Sequence, residues 1–238
     1  CGEEGESHRA SVNRLRVKQI KNAMCALLFA QGVPLIWMGD EHGNTQNGNN
    51  NPYCQDNETG WKSWEMKKKN REILGFFKEL IAIRSRYPAL RNPIPMQLYD
   101  YRGCGYPDLS YHGLGGWSIQ ADGQEKVIGM LYACAYAEEA EEASLDEYLY
   151  VGYNFSVLDQ ELALPALPRN YRWHFILDTG AGERQVLPEN ARAFLMERQS
   201  VCLLAGRKDK VGQQDKTGSK EDVRISGKEG AKNICRNK

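Results

Sequence analysis

Residues 33–57 read VPLIWMGDEHGNTQNGNNNPYCQDN. Six apolar positions in a row run straight into nineteen residues of amides, carboxylates and glycines with hardly an aliphatic side chain. The apolar run Val33–Met38 is short and does not alternate, which predicts a strand buried on both faces, as in a parallel sheet covered by helices. Its polar sequel is then a loop at the carboxyl end of that strand.

Upstream, Val12, Leu15, Ile20, Ala23, Met24, Leu27 and Leu28 fall on one helical face, with Arg14, Lys18 and Lys21 opposite. This predicts an amphipathic helix over about 11–31, with Ser11 as its N-cap and Gly32 as its stop before Pro34. Downstream, Ile73, Leu74, Phe77, Leu80, Ile81 and Ile83 form the buried stripe of a second helix over about 71–86, with Asn70 as its cap. Helix, buried strand, long loop, helix is the end of an α/β repeat. After Pro88 the runs QLYDY, KVIGMLYA, EYLYVGYNF, RWHFILD and SVCLLA alternate with Gly, Pro and Asn, which predicts an antiparallel β-sandwich. The acidic stretch 138–147 reads as a solvated hairpin tip, and from Gly206 onward the chain loses its hydrophobics and reads as a disordered tail.

The chain has 238 residues, 41% of them hydrophobic and 26% charged, enough to bury a real core. Net charge is zero, and no apolar run approaches the roughly 18 residues that span a bilayer, so neither a nucleic-acid partner nor a membrane is suggested. The seven scattered cysteines contain no CxxC pair and fit reduced thiols, hence a cytoplasmic location. The first residue is Cys1, and the polar CGEEGES start has no signal-peptide core, which suggests that the sequence begins inside a longer protein.

The stretch QGVPLIWMGDEHGNTQNGNNNPYCQDN resembles the last barrel strand and following loop of isoamylase-type glycogen debranching enzymes in the α-amylase superfamily. Its surroundings agree in order: CGEEG at the start, Arg16, Gln19 and Asn22 on the first helix, then FFKELIAIRSRYPALR, YPDLSYHGLGGW, LYVGYNF, LPALP and WHFILDT. The resemblance covers about residues 1–205. It implies an α/β plus all-β chain: the last helix, strand and helix of a (β/α)8 barrel over 1–92, a C-terminal β-sandwich over 93–205, and a tail over 206–238. It also implies a retaining hydrolase of α-1,6 branches in glycogen or a related α-glucan. The family's three catalytic carboxylates would all precede Cys1, so no catalytic residue is assigned to this chain.

In a (β/α)8 barrel the βα loops build the active site, so the loop behind Met38 faces the cleft. Asn49, Asn50, Asn51 and Gln46 suit glucan hydroxyls, since an amide both donates and accepts. Tyr53, Trp61 and Trp64 can stack on pyranose faces or wall the cleft. The alternative is a rigid turn in which the Asn side chains bond their own backbone. Asp40 and Glu41 join the candidate substrate contacts, with a structural ion pair or backbone acceptor preferred over catalysis. Adjacent residues leaving a strand point in opposite directions, whereas retaining hydrolysis needs two carboxyls roughly 5 to 5.5 Å apart across the bond.

His42 reads as a loop histidine with one hydrogen bond, Cys54 as a packed thiol, and Trp173 as core. Tyr111, His112 and Trp117 form either a surface sugar site or, preferably, packing at the seam with the barrel. The four histidines have no metal-ligand spacing, and neither metal nor organic cofactor is expected. The competing reading is a stand-alone carbohydrate-binding or structural β-sandwich module. A related amylase or trehalose-forming enzyme is a third.

Overall fold

The computed structural model describes residues 1–119, 126–137, 146–180 and 186–208. Helix α1 (Ala10–Phe29) and helix α3 (Arg71–Arg86) pack against each other, with the short α2 (Trp64–Lys69) just before α3. Among the described residues seven strands follow: β1 (Leu109–His112), β2 (Val127–Ala133), β3 (Asp146–Asn154), β4 (Gln160–Ala163), β5 (Tyr171–Asp178), β6 (Ala193–Met196) and β7 (Ser200–Lys208). Five form an antiparallel sheet in the order β1-β2-β3-β7-β5, and β4 pairs with β6 in a second, two-stranded sheet.

The large sheet is buried on both faces. Leu149, Val151 and Tyr153 of β3, with Val201, Leu203 and Ala205 of β7, point toward α1 and α3 and share a core with Leu28, Phe29, Phe77 and Leu80. The alternate residues Tyr148, Tyr150, Cys202 and Leu204 meet Leu162 of β4 and Phe194 and Met196 of β6 in a second core. That is why LYVGY and SVCLLA are continuous apolar runs: each strand feeds two cores at once. In β5 a register shift between Phe175 and Leu177 moves the chain from one face to the other, so Trp173 packs in the second core and Leu177 in the first.

A glycine makes room for Tyr150. Gly129 and Gly152 face each other across β2 and β3, and a Cβ on Gly129 would lie 1.8 Å from Tyr150 Oη. The space lets the buried Tyr150 donate to the Ala163 carbonyl at 2.5 Å, tying the two sheets together.

Several expectations are corrected. Val33–Met38 forms no strand: Val33, Leu35, Trp37 and Met38 are 96%, 89%, 64% and 65% exposed, because a strand needs a neighbouring strand to hydrogen-bond and none flanks it among the described residues. Ser11 is not a cap; the helix begins at Ala10, behind Arg9, so Ser11 already lies in its first turn. Asn70 does sit at the N-cap of α3, but its side chain donates to the His42 carbonyl at 2.9 Å instead of capping the helix. QLYDY is a loop, since the Gln97 and Leu98 N–H groups go to the Asp108 carboxylate at 2.7 and 2.8 Å. Strand β7 runs to Lys208, past Gly206. Most of the acidic stretch, 138–145, and the tail from 209 lie outside the described residues.

Candidate functional site

The polar loop starts with a turn that only glycine allows. Gly39 has φ +108°, and a Cβ there would lie 2.7 Å from Asn44 Cβ. It opens the single 3-10 turn Asp40–His42, which Gly43 closes at φ +70°. Glu41 folds back so that one carboxylate oxygen accepts the Gly39 N–H at 2.7 Å and the other accepts Lys62 Nζ at 3.0 Å. Burial pushes the Glu41 carboxyl up, but Lys62 and the main-chain N–H groups of Glu41 and Gly39 outweigh it and hold its pKa below the ordinary value. Asp40 moves the other way, raised by burial and then by the charge of Glu41 beside it. The geometry thus spends Glu41 on the loop's own base.

His42 is buried, with Nδ1 2.7 Å from the Gly39 carbonyl. Together with the Asn70 contact to its carbonyl, this fixes the turn to the start of α3.

Beyond the turn the loop is built from side-chain to main-chain bonds at a spacing of two residues. Asn49 Oδ1 accepts from Asn51 N–H at 2.9 Å, Asn51 Oδ1 from Tyr53 N–H at 3.2 Å, and Asn57 Oδ1 from Thr59 N–H at 3.0 Å. Each is an Asx turn, which holds the backbone without a sheet ladder. Asn49 also reaches Gln55 at 3.4 Å, and Gln55 donates to the Asn51 carbonyl at 3.2 Å.

The candidates therefore separate. Asn49, Asn51 and Glu41 are committed to the scaffold through their side-chain oxygens. Asn50 and Tyr53 project outward, Tyr53 at 82% exposure, while Gln46 is half-buried and Asp40 exposed. Farther along, Trp61 is fixed by donation to Asp56 at 2.8 Å, and Lys62 Nζ sits 4.3 Å from the centre of the Trp64 ring. Both indoles remain more than half exposed. Cys54 is exposed at φ +59° and is not a packed thiol; a tight loop of this kind has no interior to receive it. The surface is one of outward amides, a phenol and two indoles: it can hydrogen-bond hydroxyl groups and stack on flat apolar rings. Lys62 is the contributor that sequence reading missed, because nothing in a lysine twenty-odd residues away marks it as the partner of Glu41. Among the described residues no group of three or more His, Cys, Asp or Glu could hold a metal ion.

No protein-family model matches the chain. Isoamylase 1 of Arabidopsis thaliana, a chloroplastic protein, is 33% identical over 180 residues, which cover 75% of this chain and 21% of the relative. The glycogen debranching enzyme of Erwinia tasmaniensis is 43% identical over 90 residues, and the glycogen operon protein GlgX homolog of Mycobacterium tuberculosis 40% identical over 91; each match covers 38% of this chain and 13% of the relative. This chain is a homologue of the isoamylase-type glycogen debranching enzymes.

It spans about a fifth of the length of the isoamylases it matches. Among solved structures, apo pullulanase from Paenibacillus barengoltzii superposes with a TM-score of 0.59 at 21% identity, over 81% of this chain and 25% of the pullulanase. The Anoxybacillus pullulanase complexed with maltotetraose gives 0.57 at 16% identity, over 84% and 24%. At such identities the likeness concerns the fold alone: this chain has part of the fold that these pullulanases share.

Proposed function

We propose that the chain is the C-terminal portion of a retaining hydrolase of α-1,6 branch linkages in glycogen or a related α-glucan. In this reading residues 1–92 complete a (β/α)8 barrel, residues 93–205 form the sandwich that supports it, and the catalytic carboxylates precede Cys1. The chain's own contribution is one wall of the glucan cleft. Asn50, Gln46 and Tyr53 make the contacts, with Asp40 at the edge, and Glu41, Asn49 and Asn51 hold them in place.

The carrying observation is the division of labour in the loop, whose alternate Asn oxygens are consumed by Asx turns while Asn50 and Tyr53 face outward. A rigid loop with outward amides loses little entropy on binding a polyhydroxylated ligand. The exposed Val33, Leu35, Trp37 and Met38 support a barrel portion over a stand-alone module, because contiguous apolar surface of this kind ordinarily has a partner. The cytoplasmic location proposed for it rests on the scattered cysteines, whose spacing contains no CxxC pair.

Two measurements test the reading. The purified 238-residue chain is expected to release no reducing ends from glycogen; measurable hydrolysis overturns the placement of the carboxylates. In the complete protein, Asn50→Ala and Tyr53→Ala are each expected to raise KM for branched glucan about tenfold at an unchanged melting temperature, the size of one lost stacking or hydrogen-bonding contact. Unchanged KM would assign both residues to the scaffold.

A further inference from the structure

The segment after β1 separates three residues that stand close in sequence. Tyr111 packs against the helix-side core, His112 is fully buried on the opposite face, and Trp117 is 52% exposed. Trp117 also has φ +63°, a conformation that costs a bulky L-residue of order 1–3 kcal/mol. The surroundings enforce it. Trp117 N–H donates to His112 Nδ1 at 3.0 Å, and His112 Nε2 is in turn fixed 3.0 Å from Ser110 Oγ. The two rings meet edge to face with centroids 4.9 Å apart.

On its other side the indole has Tyr106, with ring centroids 6.2 Å apart and planes inclined by 32°. Tyr106 is itself immobilised, since its hydroxyl donates to the Ala166 carbonyl at 2.7 Å and its ring packs 4.7 Å from that of Tyr148. A tryptophan serving only to fill the core would be turned inward. Here a strained backbone, a buried imidazole and an anchored phenol combine to hold half an indole in water, flanked by a second aromatic ring at a shallow angle.

We propose that Trp117, flanked by Tyr106, is an auxiliary binding platform for an α-glucan chain, carried on the β1 edge and not on the 39–57 loop. The CH-rich face of a pyranose stacks on an indole, and two aromatic planes inclined by a shallow angle suit successive residues of a helically twisted chain. Pre-fixing the indole removes the rotamer entropy that stacking would otherwise cost. The choice of α-glucan over another ligand with apolar faces rests on the glucan-debranching reading above.

The test is affinity electrophoresis of the 238-residue chain in gels with and without glycogen, with titration by maltoheptaose and by cellohexaose as the β-linked control. The parent chain is expected to be retarded by glycogen. Trp117→Ala is expected to weaken binding at least tenfold, Trp117→Phe to retain it within about threefold, and Asn50→Ala with Tyr53→Ala to leave measurable retardation. Trp117→Gly separates binding from packing, because it relieves the positive φ: binding should weaken as in Trp117→Ala while the melting temperature holds or rises. The proposal is overturned if Trp117→Ala binds like the parent, if Trp117→Gly lowers the melting temperature together with binding, if cellohexaose binds as well as maltoheptaose, or if the parent shows no retardation. The kinetic test of Asn50 and Tyr53 is independent of this one, so failure of the platform and failure of the cleft reading give different results.

Discussion

The Arg84 guanidinium, carried on α3, donates to the main-chain carbonyl of Leu28 at 2.6 Å, at the last turn of α1. It also donates to the carbonyls of Ala30 at 2.8 Å and Gly32 at 2.5 Å. One side chain thus satisfies two of the oxygens that a helix end leaves without intrahelical partners, those of Leu28 and Ala30, and a third just beyond the cap at Gly32, and its charge lies at the negative end of the helix dipole. Burial lowers the Arg84 pKa, with a further contribution from Arg91, so the cation is held there against a desolvation cost. The result fixes where the chain leaves α1, and hence where the 33–38 segment and the loop behind it begin.

Replacing Arg84 with Met keeps the aliphatic bulk and removes every donor. The three carbonyls, two of them bonded at part-buried positions, then lose a charged partner, and the expected cost is about 2 to 4 kcal/mol. Arg84→Lys should recover part of it, since an ammonium cannot span three acceptors with the guanidinium's fork. Urea denaturation of the three proteins measures the order; a Met variant as stable as the parent would remove the clamp from the account.

The Glu41 ion pair with Lys62 closes the base of the loop, and both side chains are mostly shielded, at 24% and 11% exposure. Glu41→Gln preserves an acceptor for the Gly39 N–H but loses the charge attraction. The expected loss at pH 7 is about 1 kcal/mol, at the upper end for ion pairs that keep some solvent contact. Glu41 has a lowered pKa in the folded chain, so its contribution is fully present above the unfolded carboxylate value and is lost as pH falls through the folded one. Parent and variant should therefore converge in acid. Comparing their thermal midpoints from pH 7 to pH 3 checks this, with Asp40→Asn as background, because the raised Asp40 pKa gives a slope of the opposite sign.

Much of the fold can be read from apolar periodicity, and the failures have specific physical causes. Helix α3 has the expected limits because its stripe and the Pro88 stop are local signals. Strands β2, β3, β5 and β7 lie where their long apolar runs predict them. Strands β1, β4 and β6 are four residues each, with polar residues in LSYH and QELA, and they exist because of partners distant in sequence. Leu98, at φ +63°, cannot continue an extended strand, and no propensity scale shows that Asp108 will claim its N–H. In the loop, residue types indicate an amide-rich surface. The offset of two residues between each Asx acceptor and its donor decides which amides remain outward, and that offset is visible only once the turns are built.

The Gly129–Tyr150 relationship predicts an outsized effect from a single methyl group. Gly129→Ala places a carbon where Tyr150 Oη stands, 1.8 Å away. The ring must move, which disrupts its bond to the Ala163 carbonyl and its packing against Trp173. Expected destabilisation is about 3 kcal/mol or more, as for overpacking combined with a lost buried hydrogen bond. Gly32→Ala provides the contrast: at φ +90° it carries backbone strain, but open space receives the Cβ, and about 1 kcal/mol is expected. Equal losses at the two sites in chemical denaturation would contradict the steric account.

His112 gives the chain a pH dependence distinct from that of its carboxylates. Its ring is enclosed by Ser110, Trp117 and Tyr150, and burial lowers its pKa to about 4 from an ordinary 6.5. Between those two values the unfolded chain binds a proton that the folded chain refuses, so stability rises with pH across the window. The contribution is complete above pH 6.5 and is lost as pH falls through the folded value near 4. Below it the imidazolium has a proton on Nδ1 and can no longer accept from Trp117 N–H, the bond that holds the indole outward at 3.0 Å. Replacement by Gln, which keeps an amide acceptor without a titrating ring, should flatten stability between pH 6.5 and 4 and leave the steeper carboxylate-driven fall below it. Thermal denaturation at half-unit pH intervals measures both slopes, and an unchanged slope in His112→Gln would show that another group titrates there.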